Sequence, residues 1–279
     1  MRWIMVVSLF ISSLLFAEEV KAVSYALDAG RFGDQLINYM KAVRFSQQNQ
    51  LPLLYKPFSY SEELVLSKVH LPLIQFEYPE AVHQVSYYPE VIEHEFQDDE
   101  EFRAIVRGLV KPLKPVAQIA WPEERIPVAI HVRTGGGVDK SHARKRYPLK
   151  FPSNQFYWKA IKWIADYFKD QPISIYVFTD DRSPKLVKHM LRVGIDREKI
   201  RNDIRIDCRM SRNHWKENVL EDFFRLTQFE CLIRGDSNFS KSAAIIGGPK
   251  IEISAAEDGQ LKVKVRSELE ERSKKIRHR

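Results

Sequence analysis

Apolar residues recur along this chain at two periods. From Val128 to Val132 and from Ile173 to Phe178 they form short unbroken runs, the pattern of strands buried on both faces. Between these runs Tyr157, Ala160, Ile161, Ile164 and Phe168 recur at helical spacing, behind Ser153 or Asn154 as N-cap. Pro184 opens a further helix to Val193. Ile204 to Ile206 reads as a strand, Asn218 to Glu230 as a helix, and Leu232-Ile233 as a short strand. A helix capped by Ser237 or Asn238 then runs to Ile246. Ile251 to Ser254 and Leu261 to Val265 alternate around Asp258-Gly259, a hairpin signal. Near the start, Val23 to Asp28 reads as a strand and Gly30-Arg31-Phe32-Gly33 as a turn. Asp34 to Gln48 follows as a helix, with Leu36, Met40 and Val43 on its apolar face.

Strands alternating with helices predict an α/β fold with a parallel sheet in the C-terminal half, covered on both faces. The stretch from about residue 50 to 120 is punctuated by prolines, from Pro52 to Pro115. Within it an acidic run, Glu93 to Glu101, leads into a helix ending near Lys111. Lys111 to Pro127 is the candidate linker. The chain thus divides into residues 1–22, 23–115, 116–250 and 251–279.

Residues 1–22 stand apart. Arg2 precedes an apolar run from Ile4 to Ala17 that Glu18 and Glu19 end. The run suits a secretory signal and falls short of the roughly 20 residues that span a bilayer. Ala17, or Val20-Lys21-Ala22, offers the small residues of a cleavage site. The expectation is a secreted, periplasmic or membrane-anchored protein, with membrane association possible only through this segment.

Composition narrows the classes further. An apolar content of 44% and an aromatic content of 11% describe a globular chain, excluding a fibrous or disordered one. The net charge of +7 draws much of its excess from the last stretch, Arg266 to Arg279. No nucleic-acid motif or aromatic interleaving accompanies it, so no nucleic-acid partner is expected. Cys208 and Cys231 stand in no metal-ligand spacing, and no metal site is expected.

In a parallel sheet ligands bind beyond the carboxyl ends of strands. That rule selects Arg133 to Gly137, Thr179 to Asp181, and Gly235 to Ser240. Arg133 ends a strand before three glycines, a fork of donors beside backbone that a diphosphate can approach. His131 points to the same side, as a ligand contact or a satisfied core residue. Asp180 and Asp181 could hold sugar hydroxyls, a metal or a proton, or cap the following helix. Ser237 and Ser240 lie at a helix start, which is both an N-cap and an anion site. Gly30 and Gly33 permit close approach before another helix start. Asp222 is either a site carboxylate or the polar face of its helix.

These pieces together resemble a known family. Gly30-x-x-Gly33-Asp34-Gln35 resembles the GGxGNQ opening of bacterial α-1,2-fucosyltransferases, and Ile130-His131-Val132-Arg133 the HxR motif shared with α-1,6- and protein O-fucosyltransferases. Phe178-Thr179-Asp180-Asp181 is similar to their F-[ST]-D-D. Leu220-Glu221-Asp222-Phe223-Phe224, followed by Asp236-Ser237-Asn238-Phe239-Ser240, resembles their last motif. Thr134 stands where the family carries a second basic residue, and Asp34 where it carries Asn.

The resemblance implies a GT-B-like fold of two Rossmann-like halves. It implies inverting transfer of fucose from GDP-fucose to a glycan or glycoconjugate hydroxyl, without a metal or other cofactor. Residues 23–115 would then be the acceptor-side domain and 116–250 the nucleotide-sugar domain. Arg133 would neutralise the departing diphosphate, His131 and Asp222 would hold the nucleotide, and Ser237 or Ser240 a phosphate. Asp139, close after the arginine loop, is the candidate base. A transferase for another nucleotide sugar, or an inactive sugar-nucleotide or glycan-binding protein, are the alternatives.

Overall fold

The computed structural model describes residues 20–27, 30–77, 79–85, 99–135, 142–169, 171–200, 203–210, 213 and 216–266. In chain order the elements are β1 (Ala22–Tyr25), α1 (Phe32–Asn49), α2 (Leu66–Val69), β2 (Val82–Val85), α3 (Glu100–Leu109), β3 (Ile126–Val132), α4 (Ala143–Arg146), α5 (Asn154–Tyr167), β4 (Ile173–Thr179), α6 (Pro184–Arg197), β5 (Ile204–Cys208), α7 (Val219–Leu226), β6 (Cys231–Arg234), α8 (Asn238–Gly247), β7 (Ile251–Ala255) and β8 (Leu261–Val265).

The C-terminal half is built on a six-stranded sheet in the order β5-β4-β3-β6-β7-β8. All neighbouring pairs are parallel except β7 with β8. The hairpin expected at residues 251–265 is therefore continuous with this sheet. The chain leaves β3 toward β4 and β5 on one side, then returns to β6 and β7 on the other. The order reverses between β3 and β6, which puts a topological switch point at their carboxyl ends.

Strand parity decides what lies on each face. Val128, Ile130 and Val132 of β3 join Ile175 and Val177 of β4 and Ile233 of β6 in one core, against Tyr157, Ile161 and Ile164 of α5 and Leu191 of α6. The intervening residues Ala129, Phe178 and Leu232 join a second core on the opposite face. That second core includes Leu36, Ile37 and Met40 of α1, Phe102 and Val106 of α3, Phe223 of α7 and Ile245 of α8. It therefore runs across the expected boundary between the halves. His131, two residues beyond Ala129, faces α8 for the same reason of parity.

In the N-terminal half β1 and β2 pair in parallel, and single bridges join Val23 to Leu53 and Tyr55 to Pro72. Of the boundaries that differ from those read in the sequence, three bear on the site. The first strand starts at Ala22, which is fully buried and pairs with Val82. The first helix starts at Phe32, so Gly33 lies within it. The helix expected to reach Glu230 ends at Leu226, because the chain turns at Thr227 to carry Phe229 into the core and Cys231 into β6.

Helix α8 is held at both ends. Asp34 of α1 accepts hydrogen bonds from Arg31 N (2.9 Å) and, through Oδ1, from Asn238 Nδ2 (2.8 Å). At the other end Arg103 and Arg107 of α3 donate from Nε to the carbonyls of Ile245 and Ile246, each at 2.9 Å. A helix C-terminus leaves its last carbonyls without intrahelical partners, and cations there also oppose the helix dipole.

Candidate functional site

A cleft of about 780 Å³ opens at the switch point. Its walls come from the ends of β3 and β4, the starts of α1 and α8, and the approach to α7. Gly30, Gly33, His131, Arg133, Asp180, Asp222 and Ser237 all line it, so residues up to 207 positions apart in sequence are brought together. Ser240 and Asp181 do not line it. Asp139, Gly136 and Gly137 lie outside the described residues.

At the end of β3 the Arg133 side chain stands 3.9 Å from Asp180 Oδ2 and 5.9 Å from the Phe151 ring centroid. The other Asp180 oxygen is committed to the loop after β3. Oδ1 accepts from Thr134 N (2.7 Å), Thr134 Oγ1 (3.1 Å) and Gly135 N (3.2 Å). Asp181 Oδ1 accepts from Ser183 N (2.7 Å), the turn that precedes α6. The paired acids thus organise backbone: one shapes the arginine loop, the other the helix start. Among the described residues no group of three His, Cys, Asp or Glu could hold a metal ion.

His131 is buried, with Nδ1 at 3.0 Å from Ser240 Oγ. Ser240 Oγ also lies 3.1 Å from the Ser237 carbonyl, which can only accept. The hydroxyl proton goes to that carbonyl, so His131 Nδ1 carries the hydrogen in the other contact. Nε2 is left as an acceptor. Burial pushes the imidazole pKa down to about 4, with Asp180 pulling it up and Arg234 pushing it down. His131 is accordingly neutral at pH 7. Ser240 is fully buried and engaged with the imidazole, whereas Ser237, also buried, lines the cleft and makes no side-chain capping bond to α8.

Two glycines have different reasons. Gly30 has φ +90°, a left-handed conformation that favours glycine, at the lip of the cleft. Gly33 lines the cleft and also admits the close approach of α8. A Cβ there would lie 2.4 Å from Phe239 N and 2.6 Å from Phe239 Cα.

Asp222 faces Arg209, whose Nη2 lies 2.5 Å from Oδ1 and 3.3 Å from Glu221 Oε2. Burial raises the Asp222 pKa and Arg209 opposes the rise. The carboxylate is therefore held by a protein cation at the cleft wall. Arg209, Arg234 and Tyr60 are features the sequence reading missed. Arg234 pairs in register with His131 and bonds Glu252 through Nε at 2.7 Å. Its place at the end of a short apolar run was the available signal. Tyr60 closes the cleft from the N-terminal half, its hydroxyl donating to Lys216 O at 3.0 Å; nothing in the local pattern marks it.

The charge balance follows. Arg31, Arg133, Lys150 and Lys216 line the cleft with Asp34, Asp180, Asp222 and Glu217. Three of those carboxylates are spent on protein donors: Asp34 on Arg31 N and Asn238, Asp180 on the Thr134–Gly135 loop, and Asp222 on Arg209. The four cationic side chains and the N–H groups that begin α8 share this cleft.

No protein-family model matches the sequence, and no curated protein does. The fold has solved counterparts. The structure of an Arabidopsis thaliana FUT1 mutant in complex with GDP is similar over 90% of this chain and 75% of its own, at 11% identity and a TM-score of 0.51. Looser similarity, with TM-scores of 0.47 and 0.46, extends to POFUT1 in its apo form (10% identity, 82% of this chain and 95% of that one) and to the NodZ α-1,6-fucosyltransferase of Bradyrhizobium (12% identity, 88% and 99%). The chain thus has the α/β, GT-B-like fold, with its parallel sheet in the C-terminal half.

Proposed function

We propose that this chain is an inverting glycosyltransferase that transfers fucose from GDP-fucose to a hydroxyl of a glycan or glycoconjugate. One observation carries the reading: Arg133 and the start of α8 converge on a switch-point cleft, where Asp34, Asp180 and Asp222 already accept hydrogen bonds from the protein. That arrangement suits a diphosphate. The counterpart fold solved with GDP supports the nucleotide, and the fucosyl part rests on the motif resemblance.

In the reaction the anomeric carbon–oxygen bond to the diphosphate breaks and its electron pair stays on the diphosphate. The acceptor oxygen bonds the opposite face of that carbon and passes its proton to a general base, for which the sequence offers Asp139. Arg133, beside the Thr134–Gly135 loop that Asp180 shapes, would stabilise the growing negative charge. Neutral His131 would accept from the nucleotide through Nε2, and Ser237 would donate to a phosphate. Asp180 and Asp181 are engaged with backbone N–H groups, so we take the transfer to be metal-independent. The N-terminal segment would export or anchor the enzyme. Cleavage after Ala17 would leave β1 whole, whereas cleavage after Ala22 would remove its first residue.

Thermal denaturation with nucleotides tests the donor. GDP is expected to raise Tm well above any shift from UDP or ADP. Equal shifts with all three would reduce the cleft to a generic phosphate site and end the GDP-sugar assignment.

A further inference from the structure

We propose that the N-terminal half seats on a lipid bilayer through an exposed apolar surface formed by Val69, Leu71, Ile74 and Leu113, near the point where the apolar N-terminal segment joins the fold. This is independent of the donor reading and of the switch-point cleft. It adds a contact made by the folded chain to the one that the sequence places in residues 1–22.

The exposures run from 44% at Leu113 to 93% at Ile74. Among the described residues nine large apolar side chains are exposed, and these four crowd into one region, which sets them apart from the scattered apolar residues of an ordinary surface. The region is fixed backbone. Val65 N donates to Lys111 O at 2.9 Å and Leu113 N to Glu63 O at 2.8 Å, joining α2 and its approach to the chain around Leu113. Beyond α2, Tyr55 N donates to Leu71 O and Leu73 N to Tyr55 O, each at 2.8 Å. His70 Nε2 lies 2.9 Å from the hydroxyl of Tyr39, whose ring is in the core. The apolar side chains are thus held in water by an anchored segment that cannot fold them inward, and they gain by leaving it.

The path of the chain says what covers this surface. Residues 4–17 carry no charge and are largely apolar. The described chain begins at Val20, itself 41% exposed. Val23 bridges Leu53 and Tyr55 bridges Pro72, a register that puts Val20 within about 20 Å of Leu71. A bilayer that takes up the N-terminal run therefore lies within reach of the apolar surface. Charge around it is balanced, with Lys68, Lys111 and Lys114 exposed and Glu62, Glu63 and Glu77 exposed as well. The attraction is then apolar burial, with the lysine stems lying along the interface and their ammonium groups in water. Among the described residues no helix is long and apolar enough to cross a membrane, so the contact is interfacial.

Environment-sensitive fluorescence on the full chain tests this. The two cysteines, Cys208 and Cys231, are buried and burial pushes both thiols up, so a maleimide dye reports an introduced cysteine. Ile74→Cys, Leu113→Cys and, as a control on α6, Leu186→Cys each replace an exposed side chain. With vesicles of mixed phosphatidylcholine and phosphatidylglycerol, an NBD dye at the Ile74 and Leu113 sites is expected to brighten severalfold and shift to the blue, at high salt as at low. The dye at the Leu186 site is expected to stay in water. No change at the first two sites, an equal change at the third, or loss of the change in high salt would overturn the proposal. So would a dye at the Ile74 site that is already shielded without vesicles, because the surface would then be covered by the N-terminal segment or by a second copy of the chain.

Discussion

Asp34 and Asn238 are 204 residues apart in sequence and share a 2.8 Å hydrogen bond that joins the starts of α1 and α8 at the lip of the switch-point cleft. The same carboxylate accepts from Arg31 N, so one side chain closes the first turn of α1 and fixes α8 beside it. Asp34→Ala removes both. The expected loss of stability is about 1–3 kcal/mol, read as a lower urea midpoint. An unchanged midpoint would show that the helix pair is held by packing alone.

Gly33→Ala and Gly108→Ala should act in opposite directions. The added methyl at Gly33 meets the Phe239 backbone, which cannot swing away, and should cost roughly 1–3 kcal/mol or more. At Gly108, within α3, nothing lies within 4 Å, and alanine there should stabilise by roughly 0.5–1 kcal/mol. Equal effects in urea titration would remove the argument from close helix approach.

His131 makes stability depend on pH. Its pKa is about 4 in the fold, below the usual histidine value of 6.5, so the unfolded chain takes up the proton first. The associated stability is complete above about pH 6.5 and is lost as pH falls toward about 4. Urea midpoints for wild type and His131→Asn should therefore converge between pH 7.5 and pH 5. Parallel pH profiles would mean that other groups, such as paired carboxylates, account for the acid lability.

Arg133→Lys keeps the charge at the end of β3 and loses the planar fork. Transfer should fall by roughly 10²–10³ in kcat while the circular dichroism spectrum stays unchanged. Thr134 contributes no second cation, and the nearby Asp180 accepts hydrogen bonds from its backbone and hydroxyl. A wild-type rate would place the charge stabilisation elsewhere in the cleft.

A chelator should leave transfer and donor hydrolysis unchanged. Asp180 Oδ1 already accepts three hydrogen bonds and Asp181 Oδ1 accepts one from Ser183 N, so neither is preorganised as a ligand. Activity lost to chelator and restored by manganese would point to another class of transferase.

The sheet was legible because β3 and β4 are unbroken apolar runs, and such runs in a chain of alternating helices have few other uses. Arg133 and Ser237 were legible as site candidates because strand ends and helix starts are local features. Long-range partners were not. Gly33 reads as a loop glycine until α8 is placed against it, and the contact of Ser240 with His131, 109 positions away, has no local signal. Arg209 and Tyr60 carry no local mark, since their partners Asp222 and Lys216 come from other segments. Asp139 lies outside the described residues.

The two arginines of α3 that hold the far end of α8 bear on how the molecule can work. By chain order α8 belongs to the C-terminal sheet; by its contacts it belongs equally to α1 and α3. It is a strut pinned to the N-terminal half at both tips. A hinge between the halves would have to break the Asp34–Asn238 bond, the Arg103 and Arg107 bonds and the core beneath them together. On the proposed function, substrates would enter and leave by movements of side chains and loops at the rim, with the two halves held together.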